Sequence, residues 1–154
     1  MNTLLAILMA VTTVLPMGSN PGESKDDFLV RVATFMHGYS WSTGYESCGI
    51  IAEKDGAYSV VVGTSESPTY CDSQMIYTGW ASTGETIHSH PVTNGVLDGR
   101  EVLIHTFSEG DYAAGPGYLV DHGKLIYQRG KGTESVVADI PNLAEESVAR
   151  YVGN

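Results

Sequence analysis

Apolar and polar positions fall into distinct regimes along the chain. Residues 4–15 read LLAILMAVTTVL, and no charged side chain occurs before Glu23. A run of that length falls short of the roughly 20 residues a membrane-spanning helix needs. It fits the apolar stretch of a secretory leader, closed by Pro16 and the small residues Gly18-Ser19-Asn20. A signal peptide over residues 1–20 is therefore expected, with a buried core helix and an uncleaved membrane anchor as alternatives. Beyond it, Phe28, Leu29, Val32, Phe35 and Met36 recur at helical spacing. They predict an amphipathic helix over residues 25–37, opened by a Ser24 cap with Asp27 three positions on. Residues 38–44, GYSWSTG, read as a loop.

The pattern then shortens to strand-like runs. Residues 47–52 and 58–62 are β-rich and flank Asp55-Gly56, a hairpin signal. Residues 64–75 are rich in Ser, Thr, Pro and Asp and read as loop. Residues 85–90 predict a strand that stops at Pro91, which has no N–H for a ladder. Residues 92–100 are turn-rich, and 101–107 suit a strand or a packed loop. Ser108 predicts the cap of a short helix with Asp111 at its third position. Residues 118–120 and 125–127 predict a second hairpin about residues 121–124, and Pro141 opens a last helix. No repeat or second domain is visible, so one α+β domain over residues 24–154 is expected: a mixed β-sheet flanked by helices.

Composition narrows the partners. The formal net charge is −10, which disfavours nucleic acid and anionic membrane surfaces, since both call for phosphate-neutralising Lys and Arg. The acidity itself is read as a solubility feature. With the leader removed, no stable membrane insertion is expected, and the protein would be periplasmic or secreted. Cys48 and Cys71 are the two cysteines. In an exported chain they could form a disulfide; buried thiols and thiolate ligands are the other readings.

The chemistry concentrates in His88-Ser89-His90-Pro91 and Ser108-Glu109-Gly110-Asp111. Two histidines one residue apart on a strand face the same way and can offer two nitrogens to one ion. A carboxylate from Asp111 would complete a three-ligand set. Three protein ligands with one open position is the arrangement of a catalytic zinc site rather than a closed structural one. His37, His105 and His122 are read as ordinary surface or core residues, with His105 the closest to the second motif. Glu85, three residues before His88, falls on the opposite strand face.

Taken together, Glu46-Ser47-Cys48-Gly49, then His88-Ser89-His90-Pro91, then Ser108-x-x-Asp111 resemble the signature of the JAMM (MPN/JAB) metalloproteases. The matching span, residues 46–128, covers a little over half of the chain. The resemblance implies a cytidine-deaminase-like JAMM core and one Zn2+ held by His88, His90 and Asp111. It also implies Glu46 as general base and Ser108 as donor to the oxyanion of a tetrahedral intermediate. One departure stands out: Pro91 and Ser108 enclose sixteen residues, a longer gap than the family's. Either Asp111 reaches the site through a longer loop, which loop-closure entropy permits at small cost, or the site is incomplete. The activity implied is hydrolysis of an amide bond in a peptide or protein substrate, as a peptidase, isopeptidase or amidase. The alternative is a non-catalytic JAMM-like module that binds a protein or peptide partner through the same cleft. Oligomeric state is not legible.

Overall fold

The sheet is built from two hairpins, one on either side of a central strand. The structure is a computed structural model and describes residues 11–72, 74–91, 95–97, 100–102, 107–121 and 123–141. In chain order the elements are β1 (Thr12–Gly18), α1 (Lys25–Thr43), β2 (Ser47–Lys54), β3 (Ala57–Thr64), β4 (Ala81–Ser89), β5 (Gly95–Leu97), β6 (Arg100–Val102), α2 (Glu109–Ala113), β7 (Gly117–Asp121), β8 (Lys124–Gln128) and β9 (Ser135–Asp139). Seven strands form one mixed sheet in the order β1-β3-β2-β4-β7-β8-β9, while β5 and β6 make a separate two-stranded ribbon. The arrangement is α+β.

Local chemistry explains most boundaries. Asp55 and Gly56 both take positive φ, as the tight β2–β3 turn demands. Ser24 caps α1 by accepting the Asp27 N–H at 3.1 Å. The helix runs six residues past its expected end at 37 and takes in most of the segment read as a loop. Gly38 suggested a break, yet a helix interior tolerates glycine at a cost of about 1 kcal/mol. The stop comes at Gly44, whose left-handed φ of 75° lets its N–H reach the Ser40 carbonyl.

Strands β1 and β9 were not foreseen, nor was β5 within the segment read as turn-rich. Residues 12–18, read as the tail of a leader, form edge strand β1, antiparallel to β3. Pro16 is accommodated there because an edge strand has one unpaired side. The Arg31 side chain ties the strand's end to α1 by donating to the Gly18 carbonyl at 2.8 Å. Cleavage after residue 20 would remove this strand. The start of the expected leader, residues 1–10, lies outside the described residues. At the opposite edge β9 pairs with β8, although its sequence, SVVAD, leaves most side chains outward. The last helix expected from Pro141 onward falls outside the described residues, as do His105 and His122.

One face of the sheet is covered by α1. Phe28, Leu29, Val32, Ala33 and Met36 are fully buried against Ile51, Val60, Val62, Ile87, Val120 and Leu125. Each of the larger side chains, Ala33 apart, contributes about 1.5–3 kcal/mol by leaving water. The other face, at β2 and β4, is open as a cleft. No helix among the described residues is long and apolar enough to cross a membrane.

Candidate metal centre

Strand alternation sorts β4 into two sets. Glu85, Ile87 and Ser89 face α1, where Glu85 forms an ion pair with Lys25. Thr86, His88 and His90 line the cleft. Glu85 is thereby removed from the chemistry. Neighbouring β2 brings its own cleft residues into register, with Cys48 opposite His88. Glu46, just before β2, is held by its backbone: its N–H donates to the Ser67 carbonyl at 2.8 Å, and its carbonyl accepts the Thr64 hydroxyl at 2.9 Å. Gly49 completes the Glu46-x-x-Gly49 motif for a steric reason. A Cβ there would stand 2.5 Å from Val60 Cγ1, closer than packed atoms tolerate, so a larger residue would push β2 out of place.

The third contributor comes from α2. Ser108 and Asp111 form a full capping box: the Ser108 hydroxyl accepts the Asp111 N–H at 3.1 Å, and Asp111 Oδ2 accepts the Ser108 N–H at 2.7 Å. A cap alone would account for both residues. It does not account for where the carboxylate points. Asp111 Oδ2 lies 3.5 Å from His88 Nε2, and the candidate ligand atoms of His88, His90 and Asp111 all lie within 4.8 Å of one another. Two ligands on a tetrahedral zinc at ~2.0–2.1 Å are separated by roughly 3.3 Å. The His88–Asp111 pair already has that spacing, and small side-chain adjustments close the rest of the set on one ion. These three residues can therefore bind a metal ion. The long connection from Pro91 to Ser108, which includes the β5–β6 ribbon, delivers Asp111 to the site.

The polar bookkeeping also fits an ion. His88 Nε2 is buried with no hydrogen-bond partner, a state that costs about 1–3 kcal/mol unless something else engages the nitrogen. Burial drives the His88 pKa down to about 4, against the opposing pull of the Asp111 charge. The ring is thus neutral at physiological pH, as a metal ligand must be. Asp121, buried at the end of β7, adds a weaker pull on the same ring. It was read from sequence only as part of a turn, and burial was the missing signal.

Glu46 belongs to the same cluster. Its Oε1 lies 3.7 Å from His90 Nε2. Burial first, and then the Asp111 charge, push its pKa up to about 8. Ser108 lines the cleft as well; because its oxygen accepts the Asp111 N–H, its own O–H remains free to donate elsewhere. The five residues singled out in the sequence thus stand around one cleft of about 840 Å³.

The far wall of that cleft comes from the β3–β4 connection. Cys48 and Cys71 are joined by a disulfide with Cα atoms 5.9 Å apart, which fastens Tyr70, Cys71 and Asp72 beside the floor strand. A cross-link closing a loop of 23 residues stabilises by about 3 kcal/mol in the chain-entropy picture. The pair is fully used in this bond, so the cysteines are not ligands. Comparison of the chain with family models, curated proteins and solved structures gives no match.

Proposed function

We propose that the protein is a zinc-dependent hydrolase of amide bonds, a JAMM-like peptidase, isopeptidase or amidase acting on a peptide or protein substrate. One observation carries the reading: a neutral, buried imidazole nitrogen without a hydrogen-bond partner faces a carboxylate, with a proton-holding glutamate beside them. A zinc ion held by His88, His90 and Asp111 would polarise the substrate carbonyl and acidify a water molecule towards a pKa of ~7. The protein's own groups do the remaining work. In the metal-free protein the Glu46 pKa, raised to about 8, keeps its carboxyl protonated at neutral pH. With a cation held by His88, His90 and Asp111 that pKa would fall, so that the Glu46 carboxylate could take a proton from water and return it to the departing amine. The Ser108 hydroxyl, which lines the cleft, would donate to the oxyanion.

A periplasmic or secreted location is part of the same proposal. It rests on the apolar amino-terminal run and on a disulfide, a bond that persists in oxidising compartments. The test is the Glu46→Gln variant against a panel of peptide and isopeptide amides. It should keep the metal while losing hydrolysis by on the order of 10²-fold or more. Equal turnover by wild type and variant would remove Glu46 from the mechanism. If the zinc-loaded wild type cleaves none of the panel yet retains a peptide, the cleft is a binding module.

A further inference from the structure

Directly behind the candidate ligands, on the face covered by α1, lies a second polar cluster. Ser89 separates His88 from His90, and strand alternation turns its hydroxyl away from both imidazoles. Ser89 Oγ lies 2.6 Å from Ser40 Oγ on α1 and 2.6 Å from Ser47 Oγ on β2. It also accepts the Ser47 backbone N–H at 3.2 Å. All three serines have no solvent exposure. A buried hydroxyl gives up its water and recovers only what its partners return. Apolar side chains would fill the same space at less cost, so stability alone does not explain the trio.

Its position does. Ser47 follows Glu46 directly and is the ladder partner of Ser89, while Cys48 is the partner of His88. A single hydroxyl thus joins the strand of the two histidines to the strand that begins beside Glu46, and joins both to α1. On the other edge of β4, the His90 N–H donates to the Val120 carbonyl of β7 at 3.2 Å. The end of the ligand strand is gripped from both sides just before Pro91, which brings no donor of its own. A slip of one residue would turn Ser89 into the cleft and both imidazoles into the core. The hydroxyl trio is satisfied in only one of these registers.

We infer that Ser89 is a positioning residue for the metal ligands, acting through its buried hydrogen bonds to Ser40 and Ser47. This inference rests on the metal-site reading above, and it concerns affinity for the ion rather than turnover.

The test is Zn2+ affinity, measured by competition with a chromophoric chelator on the full chain. Wild type, Ser89→Ala, Ser40→Ala and Leu125→Ala are compared, with thermal unfolding of each metal-free protein in parallel. Leu125 is a fully buried core residue on β8, so its truncation should lower the unfolding midpoint clearly and leave zinc affinity unchanged. Ser89→Ala should weaken zinc binding on the order of tenfold or more, as loss of outer-shell support does. Ser89→Thr, which restores a hydroxyl, should recover most of the loss. Ser40→Ala, which leaves the Ser47–Ser89 link intact, should show a smaller fall in the same direction, and decides the matter if Ser89→Ala does not fold. Wild-type affinity in both serine-to-alanine variants would overturn the inference while leaving the metal site standing. So would an equal loss in Leu125→Ala, since general destabilisation would then explain everything. Absence of zinc binding by the wild type would overturn the metal site itself, and the inference with it.

Discussion

The two faces of β4 have the same backbone and opposite tasks. On the α1 side, Ile87 is sealed among Phe28, Leu29, Val32 and Met36, and every apolar contact adds to stability. On the cleft side, His88 and His90 sit beside Glu46 and Asp111, where burial works against the charged groups and shifts their pKa values. The first face holds the sheet together; the second spends part of that stability on a cluster of buried titratable groups. Perturbed pKa values of this kind concentrate at functional sites and also arise in structural ion-pair networks. Glu85 and Ser89 on the α1 side depart from the division: Glu85 pairs with Lys25, and the partners of Ser89 lie on the strand that leads from Glu46 and on the helix.

If the faces divide stability from chemistry in this way, the largest effect should come from the core. Phe28→Ala should lower unfolding free energy by about 3–5 kcal/mol, read from denaturant melts, while zinc affinity of the folded protein stays within about twofold of wild type. His88→Ala should do the reverse, with binding lost and the metal-free stability altered much less. Comparable changes in both quantities for both variants would mean that the faces are not separable.

A smaller effect concerns pH. The Glu46 pKa is raised in the folded metal-free protein to about 8 from 4.5. Its contribution is therefore fully present below about 4.5 and is lost as the pH rises towards 8. The His88 pKa is lowered from 6.5 to about 4, so its contribution is present above about 6.5 and is lost as the pH falls towards 4. Glu46→Gln removes the first slope and keeps the second. Metal-free Glu46→Gln should thus gain stability over wild type on moving from pH 5 to pH 8, seen as a growing difference in unfolding midpoint. A constant difference across that range would contradict the burial-driven shift.

Local signals in the sequence were legible around the candidate residues. The Ser24 cap, the Asp55-Gly56 turn, the alternation through His88-Ser89-His90 and the Ser108-x-x-Asp111 box each depend on residues a few positions apart. What lay beyond them was non-local. The parallel pairing of β4 with β7 joins segments separated by α2 and the β5–β6 ribbon, and nothing in either strand announces it. Edge strands β1 and β9 were missed because an edge buries little: β1 continues an apolar run that hides its alternation, and β9 leaves Ser135, Val136 and Asp139 exposed. The Ser40–Ser89–Ser47 trio was invisible for the same reason. Three serines scattered over fifty residues acquire meaning only once β2, β4 and α1 are brought together.

The most direct measurement is zinc content per chain by elemental analysis, on wild type beside Asp111→Ala, both purified from zinc-supplied medium. Near one zinc per wild-type chain and far less in Asp111→Ala would establish the ligand set reached through the long connection. Correctly folded wild type without stoichiometric metal would contradict it.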